Sequence, residues 1–130
     1  MNFALAKHHR LLTSQDFTRV FDEADYKIGS RHLLILGCRS DMGYARLGLV
    51  VSKKHVGAAV HRNRLKRLGR EVFRLRRAEL PAIDMLVISR LGIGTLNNQQ
   101  VLVLLNQQVD ALIRQCKSSA ERGDPHGPSC

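Results

Sequence analysis

Positive charge is concentrated between Lys53 and Arg77. This segment holds ten of the chain's 21 Lys and Arg residues against one acid, Glu71, a local balance of 10 − 1 = +9. The other 11 basic residues nearly cancel the other 10 acidic ones, so the net charge of +10 comes almost entirely from this segment. Phosphate backbones are the commonest polyanions that neutralise such a patch. The sequence therefore predicts a protein that binds nucleic acid.

The other residue types that could do chemistry are scattered. No nucleophile stands beside a base in a recognisable motif, and the acids Asp22, Glu23 and Asp25 have the spacing of a solvated helix end rather than of a two-metal site. The histidines show no metal-ligand spacing: His8, His9, His32, His55, His61 and His126. We therefore expect no catalytic residue, no metal site and no cofactor bound by the protein alone.

The basic segment has the period of a helix with two faces. Its apolar residues recur at helical spacing and predict a buried stripe: Leu65, Leu68, Val72 and Leu75. The opposite side forms what we call the basic face: Arg62, Lys66, Arg67, Arg70, Arg74 and Arg77. Many charged helix faces are merely solvated, but these usually carry acids at i,i+4. With only Glu71 in the segment, the pattern favours a binding surface.

Apolar runs predict the strands that support this helix. Leu33–Cys38 and the alternating segment 47–51, separated by a turn-rich stretch, predict an antiparallel hairpin. Ile83–Ile88 is almost continuously apolar, as in a central strand buried on both faces.

Two further helices complete the predicted domain. The first covers residues 13–21, and the last is capped by Asn97 or Asn98 and carries Val101, Leu105, Val109 and Leu112. We predict one domain over residues 1–116 and a disordered tail over 117–130, where Ser, Gly and Pro dominate.

Nothing in the sequence predicts a membrane segment. No apolar run approaches the roughly 18–20 residues that span a bilayer. The N-terminus has Lys7, His8, His9 and Arg10, but these residues are not followed by the apolar stretch that a signal peptide requires. We expect a cytoplasmic protein.

Ordered motifs along the chain resemble the protein subunit of bacterial ribonuclease P. The resemblance is carried by Gly48–Lys54 and Gly57–Arg70, with the signature Arg62-Asn63-Arg64 at its centre. It extends upstream to Arg10–Phe17 and downstream to Asp84–Arg90, and covers roughly residues 10–115.

The resemblance implies an α/β sandwich like the second domain of ribosomal protein S5. Its central mixed sheet would have a left-handed crossover through the basic helix. It also implies an endoribonuclease subunit that acts in tRNA processing, with catalysis in the RNA subunit. The implied partners are ribonuclease P RNA and precursor tRNA, without DNA or membrane, and magnesium would accompany the catalytic RNA.

Two RNA-binding surfaces are implied by matching residues. Against the catalytic RNA the resemblance places Arg62, Asn63, Arg64, Lys66, Arg67 and Arg70. Along the single-stranded 5′ leader of precursor tRNA it places Phe17, Phe21, Leu36, Lys53 and Lys54. Relatives often carry an aromatic residue where this chain has Leu36, which predicts weaker base stacking there.

Several alternatives remain open from the residues alone. Two Phe at i,i+4 are typical of a helix core, so Phe17 and Phe21 could be buried instead of contacting a leader. Asn63 and Arg64 could be structural. A non-enzymatic RNA-binding ribosomal or assembly protein would share the basic helix, and only the ordered motifs favour ribonuclease P. A helix-turn-helix DNA regulator is disfavoured because no second short helix precedes the basic one.

Overall fold

The computed structural model describes residues 14–40 and 42–121 and has an α/β architecture. The helices are α1 (Ser14–Glu23), α2 (Ala59–Arg76) and α3 (Asn98–Glu121). The strands are β1 (Tyr26–Gly29), β2 (Leu33–Arg39), β3 (Arg46–Val50) and β4 (Ile83–Ser89). One sheet therefore lies between α1 on one face and the pair α2 and α3 on the other. The predicted first and last helices are confirmed, although residue 13 lies outside the described residues.

The sheet is mixed, with the strand order β1-β2-β4-β3. β4 pairs antiparallel with β2 and parallel with β3, and α2 forms the crossover between the parallel pair. The prediction of a central buried strand at 83–88 is confirmed. The predicted hairpin between Leu33–Cys38 and 47–51 is wrong, because β4 inserts between those strands. The hairpin partner of β2 is β1. This strand has four residues, which is too short for its alternation to stand out in the sequence.

The main core lies between the sheet and the helices α2 and α3. Leu65, Leu68 and Val72 are buried there, as the periodicity predicts. Leu75 is wrong as a core residue, since 63% of it is exposed, and Phe73 is fully buried instead. Phe73 and Leu75 lie on opposite sides of the stripe formed by Leu65, Leu68 and Val72. Only the placement of α2 on the sheet decides which of these two sides is covered.

Gly69 lies at a close approach of α2 to the sheet. A Cβ atom at this position would lie 2.8 Å from Cδ2 of Leu49 on β3. The glycine costs the helix up to about 1 kcal/mol relative to alanine. It serves packing between helix and strand, because the space that its missing side chain leaves is filled by Leu49.

α3 begins with a reciprocal cap. Oδ1 of Asn97 accepts a hydrogen bond from N–H of Gln100 (2.8 Å), and Oε1 of Gln100 accepts one from N–H of Asn97 (2.9 Å). The helix continues to Glu121, so the first five residues of the predicted tail, 117–121, are helical. Residues 122–130 lie outside the described residues. Within the described part of the chain, no helix combines the length and apolarity that crossing a membrane requires.

Candidate nucleic-acid interface

The sheet face beneath α1 is built from three rows of side chains. Alternate residues of a strand point to the same face, and paired residues on neighbouring strands stand side by side. From β2 through β4 to β3 the rows are Cys38–Asp84–Arg46, Leu36–Leu86–Gly48 and Leu34–Ile88–Val50. The first row is polar at its centre, and the other two are apolar.

α1 covers these rows unequally. Val20 is fully buried against Cys38, Leu36 and Leu86 of the first two rows. The third row, Leu34, Ile88 and Val50, stays only half-buried. Among the residues that the structure describes, an apolar strip of the sheet is therefore left open beside α1. We call this strip, together with Phe17 of α1 as its wall, the groove.

The two phenylalanines of α1 occupy different environments. Phe17 is partly buried and packs against the apolar cluster beneath α1, whereas Phe21 is 50% exposed. Leu36 belongs to the same cluster but is only 5% exposed, so it lies under α1 and not in the open strip. The structure thus places Phe17 and Leu36 in one apolar cluster. Of the two phenylalanines, Phe21 is the one whose ring is exposed.

Cations flank both sides of the groove. Lys53 and Lys54 are exposed in the turn that follows β3, just past Val50 in the open row. On the opposite side, the Arg90 guanidinium lies 3.6 Å from where a Cβ atom of Gly29 would be, and its Nη1 donates to the carbonyl oxygen of Ser30 (2.6 Å). Because Gly29 pairs with Leu34, Arg90 faces the same side of the sheet.

Sequence reasoning missed Arg90 and the open row as parts of the site. Their signal is the alternation along β2 and β4, in which Leu34 and Ile88 fall on one face. That signal is readable only when the pairing of β1, β2 and β4 is known. Lys27, which pairs with Leu36 on the edge strand and is exposed, was missed for the same reason.

Two of the six residues predicted to bind the catalytic RNA are held by backbone carbonyls. Arg62 donates from Nη1 to the carbonyl oxygens of Val56 (3.1 Å) and Gly57 (2.7 Å), closing the loop before α2. Arg64 donates to the carbonyl oxygen of Leu96 (3.0 Å) and to Oδ1 of Asn98 (2.8 Å). Arg64 therefore ties α2 to the start of α3.

The other four residues predicted to bind the catalytic RNA are not held by hydrogen bonds within the described part of the fold. Asn63 and Arg67 are exposed, and Lys66 and Arg70 are half-buried. None of the four forms a side-chain hydrogen bond or ion pair within residues 14–40 and 42–121. They lie within an arc of about 100° around α2. We call Asn63, Lys66, Arg67 and Arg70 the outer set; it presents three positive charges and one amide.

Arg76 belongs to the charged segment but serves the fold. Its guanidinium binds Glu79 (Nη2 to Oε1, 3.2 Å), Oδ1 of Asn106 (3.0 Å) and Asp110 on α3. The hydrogen bond with Glu79, then that with Asp110, raises the pKa of Arg76, and the same Arg76 contact lowers the pKa of Glu79. Arg76 thus clamps the end of α2 to α3 and contributes no open charge.

Across the described ranges, no group of three or more His, Cys, Asp or Glu is arranged to hold a metal ion. What this part of the chain does present is two candidate binding surfaces. One is a helix face with uncompensated cations, suited to phosphates. The other is an apolar groove with an exposed aromatic ring and flanking cations, suited to unpaired bases and their backbone.

Comparison with known proteins gives consistent results. A profile of the family described as Ribonuclease P matches residues 5–116. The "Ribonuclease P protein component" of Marinobacter nauticus is 41% identical over 124 residues, which are 93% of this chain and 93% of that protein. The protein of the same name from Chromohalobacter salexigens is 40% identical over 116 residues, 89% of this chain and 88% of its own.

Solved structures agree with the sequence comparisons. The Staphylococcus aureus RNase P protein superposes with a TM-score of 0.75 at 28% identity, covering 80% of this chain and 94% of that one. The RNase P protein from Thermotoga maritima superposes with a TM-score of 0.66 at 30% identity, covering 82% and 96%.

Proposed function

The chain belongs to the ribonuclease P protein family, and from that premise we propose how its two surfaces serve the enzyme. As a ribonuclease P protein component, it is a subunit of an endoribonuclease holoenzyme and a partner of ribonuclease P RNA. A non-enzymatic ribosomal or assembly role is not favoured. In our proposal the outer set of α2 binds the catalytic RNA, and the groove beside α1 binds the 5′ leader of precursor tRNA.

The outer set supports the first half of the proposal. A buried or paired arginine has little left to offer a phosphate, but Arg67 is exposed and makes no side-chain bond in the described parts of the chain. Its planar guanidinium can grip two phosphate oxygens, and Lys66 and Arg70 add charge on the same side. Arg62 and Arg64 support this surface indirectly, by fixing the loop before α2 and the start of α3.

The groove supports the second half, and the open third row is the observation that carries it. Leu34, Ile88 and Val50 are half-buried in the free protein, so apolar surface is available for the flat faces of bases. Phe21 offers an exposed ring for stacking. In this proposal Lys53 and Lys54 meet the leader's phosphates on one side, while Arg90, which already donates to the carbonyl oxygen of Ser30, borders the other side.

Leu36 takes a more modest part in this proposal than its sequence position suggests. Its side chain forms the floor under α1 and supports Phe17 from below, so its contact with a leader base would be indirect. The protein's residues bind and orient RNA, while catalysis and its magnesium ions belong to the RNA subunit.

Reconstitution tests the proposed function. Purified protein is added to a bacterial ribonuclease P RNA, and cleavage of precursor tRNA at low magnesium is measured with the protein alone, the RNA alone and both together. We expect cleavage at the mature 5′ end only when both components are present. Magnesium-dependent cleavage by RNA-free protein, or no stimulation of the RNA, would contradict the proposal. The triple variant K66A/R67A/R70A serves as the matched control for protein that folds but does not assemble.

A further inference from the structure

An ion-pair network lies beneath α1. Asp84 at the centre of the first row is completely buried. Its carboxylate accepts two hydrogen bonds from Arg46 on β3 (Nε to Oδ1 and Nη2 to Oδ2, both 2.8 Å) and one from Arg19 on α1. Asp16, also on α1, lies 3.6 Å from Nη2 of Arg46. Two carboxylates and two guanidinium groups therefore join three separate elements.

Arg19 is the point at which α1 is attached to this network. Besides Asp84, its Nη1 contacts Sγ of Cys38 (3.0 Å) and the carbonyl oxygen of Arg39 (3.5 Å). These polar contacts require particular directions, whereas the apolar contact of Val20 with the sheet is non-directional. The apolar contact holds α1 against the sheet, but the guanidinium decides where along the sheet it lies.

The position of Arg19 on the helix determines where the phenylalanines go. Phe17 and Arg19 are about 160° apart around α1, and the buried Val20 lies between them. When Arg19 is held on the polar first row, Phe17 is directed to the apolar side of the same face. Asp84 anchors Arg19 and so fixes where α1 lies. The width of the groove therefore depends on the distance from Asp84 to the open row of Leu34, Ile88 and Val50.

From this arrangement we infer that Arg19, Asp84 and Arg46 are positioning residues that hold α1 in register on the sheet and thereby set the groove for a 5′ leader. They touch no RNA in this scheme and act through Phe17 and Phe21. The consequence for leader binding rests on the proposed function, whereas the register of α1 can be measured in the protein alone.

The binding test uses R19M, which keeps an unbranched apolar stem but removes the guanidinium. Affinities for precursor and mature tRNA are measured with the reconstituted holoenzyme. We expect R19M to weaken precursor binding by about fivefold or more, part of the range that base stacking provides, with mature tRNA unchanged. R19K, which retains one charged contact to Asp84, should recover part of the loss.

The matched control is D110N, which breaks an ion pair on the opposite side of the sheet whose arginine is about as exposed as Arg19. It should leave the ratio of precursor to mature affinity unchanged. An equal loss of precursor affinity in R19M and D110N would overturn the inference. It would show that the network only stabilises the fold and does not position α1 for the leader.

A second readout needs no RNA. Nuclear Overhauser contacts between the Phe17 ring and methyl groups of the sheet are recorded in the free protein for wild type, R19M, R19K and D110N. We expect them to be displaced in R19M, partly restored in R19K and kept in D110N; unchanged contacts in R19M would overturn the inference. If wild type binds both tRNAs equally, the leader proposal fails, and the same contacts still decide whether the network positions α1.

Discussion

The arginines of α2 should separate into RNA ligands and structural residues. The double variant K66A/R67A removes two members of the outer set, and neither side chain makes a hydrogen bond or ion pair within residues 14–40 and 42–121. The folded state should lose little, within about 0.5 kcal/mol, as is usual for surface changes away from special contacts. Any large effect of this variant must then come from RNA.

The magnitude follows from counterion release. Each lost phosphate contact removes about 0.7–0.9 from the log–log slope of affinity against salt, which corresponds to about 5–8-fold in affinity at 0.1 M salt relative to 1 M. Two contacts together predict a loss of about 25–60-fold. R67K keeps the charge and should retain the slope while losing the bidentate grip on phosphate.

Arg64 provides the contrast within the same helix. R64A removes hydrogen bonds to the carbonyl oxygen of Leu96 and to Asn98, which should destabilise the fold by about 1–3 kcal/mol. Its salt slope should match wild type, because its guanidinium is already engaged.

The assay is titration of ribonuclease P RNA with protein across a potassium chloride series at fixed magnesium, together with thermal unfolding of each free protein. The reasoning would be refuted if K66A/R67A kept both affinity and slope. It would also be refuted if R64A lost slope without losing stability.

Three further predictions concern the groove and the packing of α2. F21A should weaken precursor tRNA binding by about 1–3 kcal/mol, while mature tRNA binding and the melting temperature stay constant. F17A should also lower the melting temperature, because Phe17 packs on the core beneath α1. Binding and melting curves of both variants check this. L36Y should destabilise the protein by about 1–3 kcal/mol through overpacking, because Leu36 is 5% exposed; a melting temperature equal to wild type would show that α1 yields there. G69L should destabilise by a similar amount, since even a Cβ atom would meet Leu49 at 2.8 Å, and denaturant unfolding measures it.

Local patterns in the chain were sufficient for the elements that carry their own signal. The two-faced period of α2, the apolar run of β4 and the cap at Asn97 each depend on residues within one or two turns or one strand. Charge is equally local, so the basic segment and its preference for a polyanion were readable from the order of residues alone. The ordered motifs added the family and, through it, the prediction of two RNA-binding surfaces, which stays a prediction.

Pairings between distant segments were not readable in this way. Nothing local indicated that β4 would separate β2 from β3, or that a four-residue β1 would form the hairpin instead. The choice of Phe73 over Leu75 for the core likewise follows from the side on which α2 meets the sheet. Each of these outcomes depends on which surfaces are covered when the elements pack together.

The order of residues was enough to establish a basic helix and a strand-rich core, whereas packing between distant elements settled which basic side chains bond within the fold. Arg64 finds its partner 34 residues away and Arg19 finds Asp84 65 residues away. A guanidinium has the same charge whether it faces a phosphate or a buried carboxylate. Only the fold brings Asp84, Asn98 and Asp110 to particular arginines, and so leaves Lys66, Arg67 and Arg70 open.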